Sequence, residues 1–412
     1  FEFDLTELTG AGRAHQLVLR VDDSPHSFKL EGKQGYGESK GIWQTVYLES
    51  RGDIALKHIH FSPDIDRGTV KVQAYLDQPA QEDLYVNLLF PNQELTGIHT
   101  SPKIERNTQQ LSFEIGIPNV QLWNLDNPYL YEVEVQLHNN QVIYDECSSY
   151  FGMRKISIMN LPGSGFPYVA LNNQPLYLQM SLDQAYHPDG YYTYPSDEFM
   201  RDEILRSKKI GLNGNRIHIK VEVPRKLYWA DRLGLLIMAD VPNFWGEPDE
   251  QAREEWEYAM REMIARDYNH PSIFSWVLFN ETWGLFTGKG QERAYLPETQ
   301  DWVREKFLEA KKLDPGRLIE DNSPCNYDHV QTDLNTWHAY LPGYKWKEFL
   351  QNVVDNTYEG SGWNFIGENK QTGVPMFNSE CGNVWGYSGS TGDVDWSWDY
   401  HIMMNEFRKQ PK

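Results

Sequence analysis

Seven short apolar or β-branched runs between residues 176 and 380 alternate with stretches of helical period, and no other feature constrains the fold of this chain as tightly. The runs span residues 176–180, 214–219, 235–241, 273–279, 318–321, 335–340 and 376–380, while helical spacing fills 197–209, 225–233, 249–267 and 299–313. Strand, crossover helix and strand in repetition require a parallel sheet. No Rossmann glycine signature opens any of these helices, so a (β/α)8 TIM barrel over residues 155–412 is the expected architecture. An eighth strand is not legible. The residues after Glu380 have room for a helix but hardly for a further strand and its helix, and the barrel is expected to be incomplete in this chain.

Ahead of that series helical periodicity is scarce. Residues 17–21, 45–49, 70–75 and 84–89 are short β-rich runs. Tyr131-Glu132-Val133-Glu134-Val135-Gln136-Leu137 alternates strictly before His138-Asn139-Asn140 turns the chain into Val142-Ile143-Tyr144, a hairpin pattern. Residues 53–154 have the size and strand spacing of one immunoglobulin-like β-sandwich. Residues 1–52 hold too few strands to close another domain, so they are expected to be the end of one whose front is missing. A chain that starts inside a domain shows no leader, and the opening Phe1-Glu2-Phe3-Asp4-Leu5 therefore leaves the compartment unread.

Charge narrows the function classes. Against 59 Asp and Glu stand 38 Lys and Arg, a net of −21 that repels phosphate backbones and anionic lipid, so neither nucleic acid nor a membrane is an expected partner. Mean hydropathy is −0.63 and no apolar run approaches the ~18 residues of a membrane span, as in a soluble globular chain. Cys147, Cys325 and Cys381 are odd in number and widely spaced, which implies neither a disulfide framework nor a zinc ligand set. Aromatic residues reach 14%; flat rings can face the C–H side of a sugar, although large β-rich cores account for most of them.

Two strand ends carry carboxylates. Ser275-Trp276-Val277-Leu278-Phe279-Asn280-Glu281-Thr282-Trp283-Gly284 is an apolar strand that stops in an amide, an acid and an aromatic, and Met376-Phe377-Asn378-Ser379-Glu380 stops at a second acid. Barrel enzymes build their sites at the C-terminal ends of strands. Two acids so placed can flank a glycosidic bond, one donating a proton to the leaving oxygen while the other attacks or stabilises the anomeric carbon. Either acid alone reads more simply as a cap at a strand–helix junction.

With Glu380 downstream, Trp276-Val277-Leu278-Phe279-Asn280-Glu281 resembles the family 2 glycoside hydrolases, which include β-galactosidases and β-glucuronidases. The resemblance runs over nearly the whole chain. Residues 41–49 are similar to the end of that family's jelly-roll sugar-binding domain, Leu122-Trp123 with Asp126-Asn127-Pro128-Tyr129-Leu130-Tyr131 to its immunoglobulin-like domain, and Phe151-Gly152-Met153-Arg154 to the entry into its barrel. Gly211-Leu212-Asn213-Gly214-Asn215-Arg216 and Asp231-Arg232-Leu233-Gly234-Leu235-Leu236 resemble its second and third barrel strands. The resemblance implies a retaining, exo-acting β-glycosidase, β-galactosidase-like first and β-glucuronidase-like second, with Glu281 as general acid/base and Glu380 as nucleophile. It further implies that Asn280 bonds the sugar 2-hydroxyl, Tyr340 contacts the nucleophile, Arg216 keeps a carboxylate ionised and His338 lines the pocket. Asp183, in the first βα loop where many β-galactosidases carry histidine, becomes a substrate contact; Asn322-Ser323-Pro324-Cys325 departs from the Asn-Asp-Gly-Trp-Glu expected of the same subgroup, and both leave the sugar open. A glycoside or oligosaccharide is the implied partner, no cofactor is needed, and homo-oligomers are common among relatives.

Plainer readings stand beside these. Arg216 also reads as a buried ion-pair partner, Tyr340 as core packing, and Trp283, close enough to Glu281 to reach a bound ring, as packing under a loop. His58 and His60 share one face of a strand but have no third ligand nearby, so no metal is expected. Asp393-Val394-Asp395 reads as a solvated turn, the helix around Arg253-Glu254-Glu255-Trp256-Glu257 as a solvated barrel helix with Trp256 inward, and the sequon Asn280-Glu281-Thr282 as unused inside a cleft. A carbohydrate-binding protein on a decayed barrel and an endo-acting β-glycanase are the rival functions.

Overall fold

The computed structural model describes residues 41–91, 100–341 and 343–382, together with 2–9, 12, 14–22, 30, 95, 98 and 409. Seven strands come first: β1 (Leu56–Asp64), β2 (Thr69–Leu76), β3 (Leu84–Leu89), β4 (Lys103–Ile104), β5 (Gln110–Gly116), β6 (Tyr131–His138) and β7 (Ile143–Phe151). They make two antiparallel sheets, ordered β1-β2-β5 and β4-β3-β6-β7, whose facing sides bury Phe61, Val70, Val72, Val86, Leu88 and Phe151. The alternation read in β6 is the reason for its place: Tyr131, Val133, Val135 and Leu137 point into that core while Glu132 and Glu134 point out. At the hairpin Asn140 takes φ +72°, and Asn139 Oδ1 accepts the backbone N–H groups of Gln141 and Val142. Residues 17–21 and 45–49 lie outside any strand, contrary to expectation. Their Leu17, Val18, Leu19, Val46, Tyr47 and Leu48 side chains are exposed, and a β-prone run with no ladder partner among the described residues and no face buried there stays irregular.

A small antiparallel sheet of β8 (Ile156–Asn160), β9 (Pro167–Leu171) and β10 (Gln174–Pro175) follows. Ile156, Ile158, Val169 and Leu171 pack against Leu236, Phe274 and Leu318 at the starts of barrel strands, so this sheet plugs the N-terminal mouth of the barrel. It also takes in Leu176, the first residue of the run 176–180 expected as strand, whereas Gln179 already exchanges hydrogen bonds with Asn213 on the barrel side. Leu176 N donates to Val169 O (2.8 Å), and the first barrel strand starts only at Met180.

The barrel then runs β11 (Met180–Asp183), α1 (Asp197–Lys209), β12 (Gly214–Ile217), α2 (Pro224–Leu233), β13 (Leu236–Asp240), α3 (Glu250–Asp267), β14 (Ile273–Val277), α4 (Pro297–Leu313), β15 (Leu318–Glu320), β16 (Asn335–Ala339), α5 (Trp346–Asn356) and β17 (Met376–Cys381). The strands β11 to β15 pair in sequence order and in parallel, and β16 pairs with β17 in parallel. Every residue of β12 to β16 is buried, as in a sheet covered on both faces. Local chemistry sets the helix ends. Ser196 and Asp249 accept from Phe199 N and Ala252 N at the starts of α1 and α3, prolines open α2 and α4, and α2 stops at Gly234 with φ +72°. Trp256 turns inward from α3 and stacks on Phe279, ring centroids 4.3 Å apart. No helix separates β15 from β16; instead Asp321 brackets the connection by accepting from Val330 N, Gln331 N and His329. Among the described residues there are seven barrel strands, and β11 and β17 are not paired with each other. The turn expected at residues 393–395 lies outside the described residues. No helix among them is long and apolar enough to cross a membrane.

Sandwich and barrel share a close contact at Gly152, where a Cβ would stand 2.8 Å from Pro271 and 2.9 Å from Trp123. Asn269 joins both backbone partners on β1, accepting from Phe61 N (2.9 Å) and donating to Ile59 O (2.7 Å). His60 stacks on Tyr268 at 4.1 Å and its Nε2 bonds Ala265 O; burial pushes its pKa down to about 4, so it serves this interface as a neutral ring.

Candidate active site

The barrel positions one carboxylate by an unusual turn. Leaving β14, the chain passes the buried Asn280, whose N–H donates to Asn243 Oδ1 (2.9 Å), and enters two successive left-handed residues, Glu281 (φ +51°) and Thr282 (φ +61°). Such conformations cost on the order of 1–3 kcal/mol each for side chains with a Cβ and persist only where the surroundings hold them. Here Glu281 N donates to Ser323 O (2.8 Å), Trp283 N to Asn280 O (3.0 Å), and Thr282 N to Asn322 Oδ1 (3.0 Å). Gly284 (φ +75°) completes the turn against Phe244, whose ring would lie 2.7 Å from a Cβ. Burial of Asn280 also closes the sequon to any glycan in the folded chain.

The second carboxylate, Glu380, is the penultimate residue of β17. His338, on the neighbouring β16, stands between the two acids: Nδ1 is 2.9 Å from Glu281 Oε1 and Nε2 is 3.3 Å from Glu380 Oε2. Burial lowers the His338 pKa even though both carboxylates oppose it. A neutral ring bears one N–H, so only one acid can receive it at a time. Tyr340 donates its hydroxyl to Glu380 Oε1, and burial together with the Glu380 charge raises its pKa and keeps the phenol protonated. Trp283 Nε1 donates to Glu281 Oε2 (3.0 Å), and its ring meets Trp245 at 4.2 Å. Oxygens of Glu281 and Glu380 and a nitrogen of His338 lie within 4.8 Å of one another. Those three side chains would also suit a divalent cation, but the Arg216 guanidinium, 3.6 Å from Glu380 Oε2, opposes a second positive charge there.

Arg216 satisfies both sequence readings. Its fork grips Asp240 at 3.0 and 2.8 Å inside the barrel, and its Nη1 faces Glu380. It also donates to Asn280 Oδ1 (2.8 Å), which fixes the amide orientation and leaves the buried Asn280 Nδ2 without a protein partner. Asn280, Glu281, Trp283, Arg216, His338, Tyr340 and Glu380 thus form one hydrogen-bonded set. Asp183 belongs to a neighbouring one. At the end of β11 its Oδ2 is 2.6 Å from the buried Lys226 Nζ, and although burial pushes its carboxyl up, Lys226 brings the net below the ordinary value. Sequence reasoning missed Asp240, Asn322, Ser323, Asp328 and Ser379. Asp240 was findable as a carboxylate closing an apolar strand, the signal that marked Glu281; Asn322, Ser323 and Ser379 lie in segments the sequence singled out for other residues or reasons, and Asp328 lies in one with no pattern.

Glu320, at the end of β15, accepts from the Thr336 hydroxyl, and burial pushes its pKa up to about 7 against the pull of Arg216. In the unfolded chain a glutamate titrates near 4.5, so between there and about 7 folding takes up a proton and stability falls as pH rises. Glu320→Gln is therefore expected to raise Tm at pH about 8, by the equivalent of ~2–3 kcal/mol, and to leave it nearly unchanged at pH about 4.5. Equal Tm changes at both pH values in calorimetry would refute this.

The family model for glycosyl hydrolases family 2 matches residues 54–154, and the model for the TIM barrel domain of the same family matches residues 169–391, over half of the chain. The chain belongs to glycosyl hydrolase family 2. A β-galactosidase of Leuconostoc mesenteroides is 28% identical over 341 residues, covering 77% of this chain and 30% of that protein. A protein named as a putative β-glucuronidase, from Formosa agariphila, is 27% identical over 371 residues, covering 85% of this chain and 32% of its own length. Among solved structures, the family 2 β-galacturonidase of Eisenbergiella tayi bound to galacturonate superposes with a TM-score of 0.69 at 19% identity, covering 88% of this chain and 64% of that one, a likeness of fold. This family 2 chain spans about a third of the length of the first two relatives.

Proposed function

We propose that this chain carries the site of a retaining, exo-acting β-glycosidase. The observation that supports it is the meeting of Glu281 and Glu380 oxygens within 4.8 Å around one histidine, close to the ~5–5.5 Å separation of carboxyls in retaining enzymes and short of the ~6.5–9.5 Å of inverting ones. In this reading protonated Glu281 gives its proton to the glycosidic oxygen as Glu380 attacks the anomeric carbon, releasing the aglycone and leaving a glycosyl ester. Glu281, now a carboxylate, takes a proton from the water that displaces Glu380. Tyr340 holds the nucleophile's attacking face, and the spare Asn280 Nδ2 is available to a sugar hydroxyl.

A neutral hexoside suits the described residues better than a uronide. Each buried cation on β12 and in the stretch that follows is matched by carboxylates: Arg216 by Asp240, Lys220 by Glu222, Lys226 by Asp183 and Glu222. None is left over for a sugar carboxylate, so a β-galactoside is the first substrate and a β-glucuronide the second. Turnover of nitrophenyl β-galactoside above nitrophenyl β-glucuronide by at least ~10-fold in kcat/KM is expected, since a poorly matched buried charge costs more than 1.4 kcal/mol. The reverse order would overturn the substrate assignment, and binding of both without hydrolysis would favour a carbohydrate-binding protein.

A further inference from the structure

Resting on that reading of Glu281 as the acid/base, we propose that Asp328 and Thr282 are positioning residues: they lock the left-handed turn that aims the Glu281 carboxyl at the glycosidic oxygen. Thr282 directly follows Glu281 and is fully buried, so its hydroxyl hydrogen must find a protein acceptor. It finds Asp328 Oδ2 at 2.6 Å. Asn322, also buried, closes a ring. Its Oδ1 accepts from Thr282 N (3.0 Å), and its Nδ2 donates to Asp328 Oδ1 (3.0 Å) and Thr282 Oγ1 (3.1 Å). Asn326 Nδ2 adds a longer contact to the same hydroxyl (3.4 Å).

All of these partners come from the β15–β16 connection, the stretch in which Asp321 brackets His329, Val330 and Gln331. The acid that follows β14 is therefore aimed by the loop that follows the next strand, β15. None of the three side chains bonds Glu281's own carboxylate, which is held by His338 and Trp283. The clamp works on the backbone instead: it holds Thr282 at φ +61° and so fixes where the preceding Cα–Cβ bond points. A displacement of about 1 Å in an acid is enough to cost on the order of 100-fold in rate.

Volume and hydroxyl can be separated. Valine has threonine's shape and β-branch, and therefore the same steric cost in a left-handed conformation, but no hydroxyl; serine keeps the hydroxyl. The test is kcat/KM of the full chain, which reads glycosyl-enzyme formation, on phenyl and dinitrophenyl forms of whichever glycoside the unaltered chain turns over. A phenolate needs the proton of Glu281 to depart, whereas dinitrophenolate leaves without it. Thr282→Val and Asp328→Asn are expected to lower kcat/KM for the phenyl glycoside by ~10–100-fold and to leave the dinitrophenyl glycoside within ~3-fold, with Thr282→Ser near the original on both. Equal losses on both substrates, or no loss on either, would overturn the proposal. If the unaltered chain hydrolyses neither glycoside, the hydrolase reading fails and the clamp is judged by a crystal structure of Thr282→Val: a Glu281 carboxyl moved off His338 supports it, and one still at 2.9 Å refutes it.

Discussion

Replacing Glu380 with glutamine is expected to lower kcat on a nitrophenyl β-glycoside by at least ~10⁴-fold, equivalent to ~5.5 kcal/mol of transition-state stabilisation, because in the proposed mechanism Glu380 forms the glycosyl ester while Glu281 is engaged as the acid. The amide keeps the size of the acid and can still accept from the Tyr340 hydroxyl, so Tm should change little and the loss is one of chemistry. Stereochemistry makes the assignment sharper. With Glu380→Ala, added azide enters from the face that the nucleophile occupied and gives the inverted α-glycosyl azide. With Glu281→Ala and an activated leaving group, the ester still forms, and azide displaces it to give the β-glycosyl azide. Exchange of these two products between the variants would reverse the roles, and a Glu380→Gln enzyme within ~10-fold of the original would remove the nucleophile assignment.

Asp240→Asn is expected to be the most damaging change to stability, at ~3–5 kcal/mol and a Tm lower by roughly 10 °C. Asp240 sits at the end of β13, almost fully buried, with Arg216 forked across it and His218 Nδ1 at 3.2 Å. Burial pushes its carboxyl up, but Arg216 and His218 together outweigh it, and the net pKa lies below the ordinary aspartate value. The pair's contribution is accordingly present above that ordinary value and is lost as pH falls through the depressed one. Asparagine leaves the guanidinium in the interior with half of its fork unmet. Turnover should fall with it, since Arg216 also anchors the Asn280 amide. Arg216→Met combined with Asp240→Leu removes both charges and is expected to recover much of the Tm but none of the activity; calorimetry beside kcat/KM reads both. An Asp240→Asn chain with unchanged Tm would mean that the ion pair is not holding the barrel.

Which elements the chain would form was largely legible. The expected helix over 197–209 coincides with α1, and the other helices and strands expected from 214 to 380 fall within a few residues of their place, because period, caps and prolines act over one or two turns of chain; α5 was not expected. The misplaced strands share one cause. Residues 17–21 and 45–49 carry β-prone side chains but have no ladder to join among the described residues, and Leu176 bonds to β9 before β11 begins. Propensity states what a segment tolerates; pairing decides what it does.

The same division runs through the site. Sequence alone placed Asn280, Glu281 and Glu380 at strand ends, since a carboxylate closing an apolar run is visible in one dimension. Tertiary structure alone decided that His338 stands between the acids, that Arg216 divides itself among Asp240, Asn280 and Glu380, that Asp183 is taken by Lys226, and that a loop after β15 holds the turn at Thr282. These are contacts between segments tens to more than a hundred residues apart. Their geometry follows from the parallel register of the barrel strands and from the packing that sets it, and neither leaves a periodic trace in the chain.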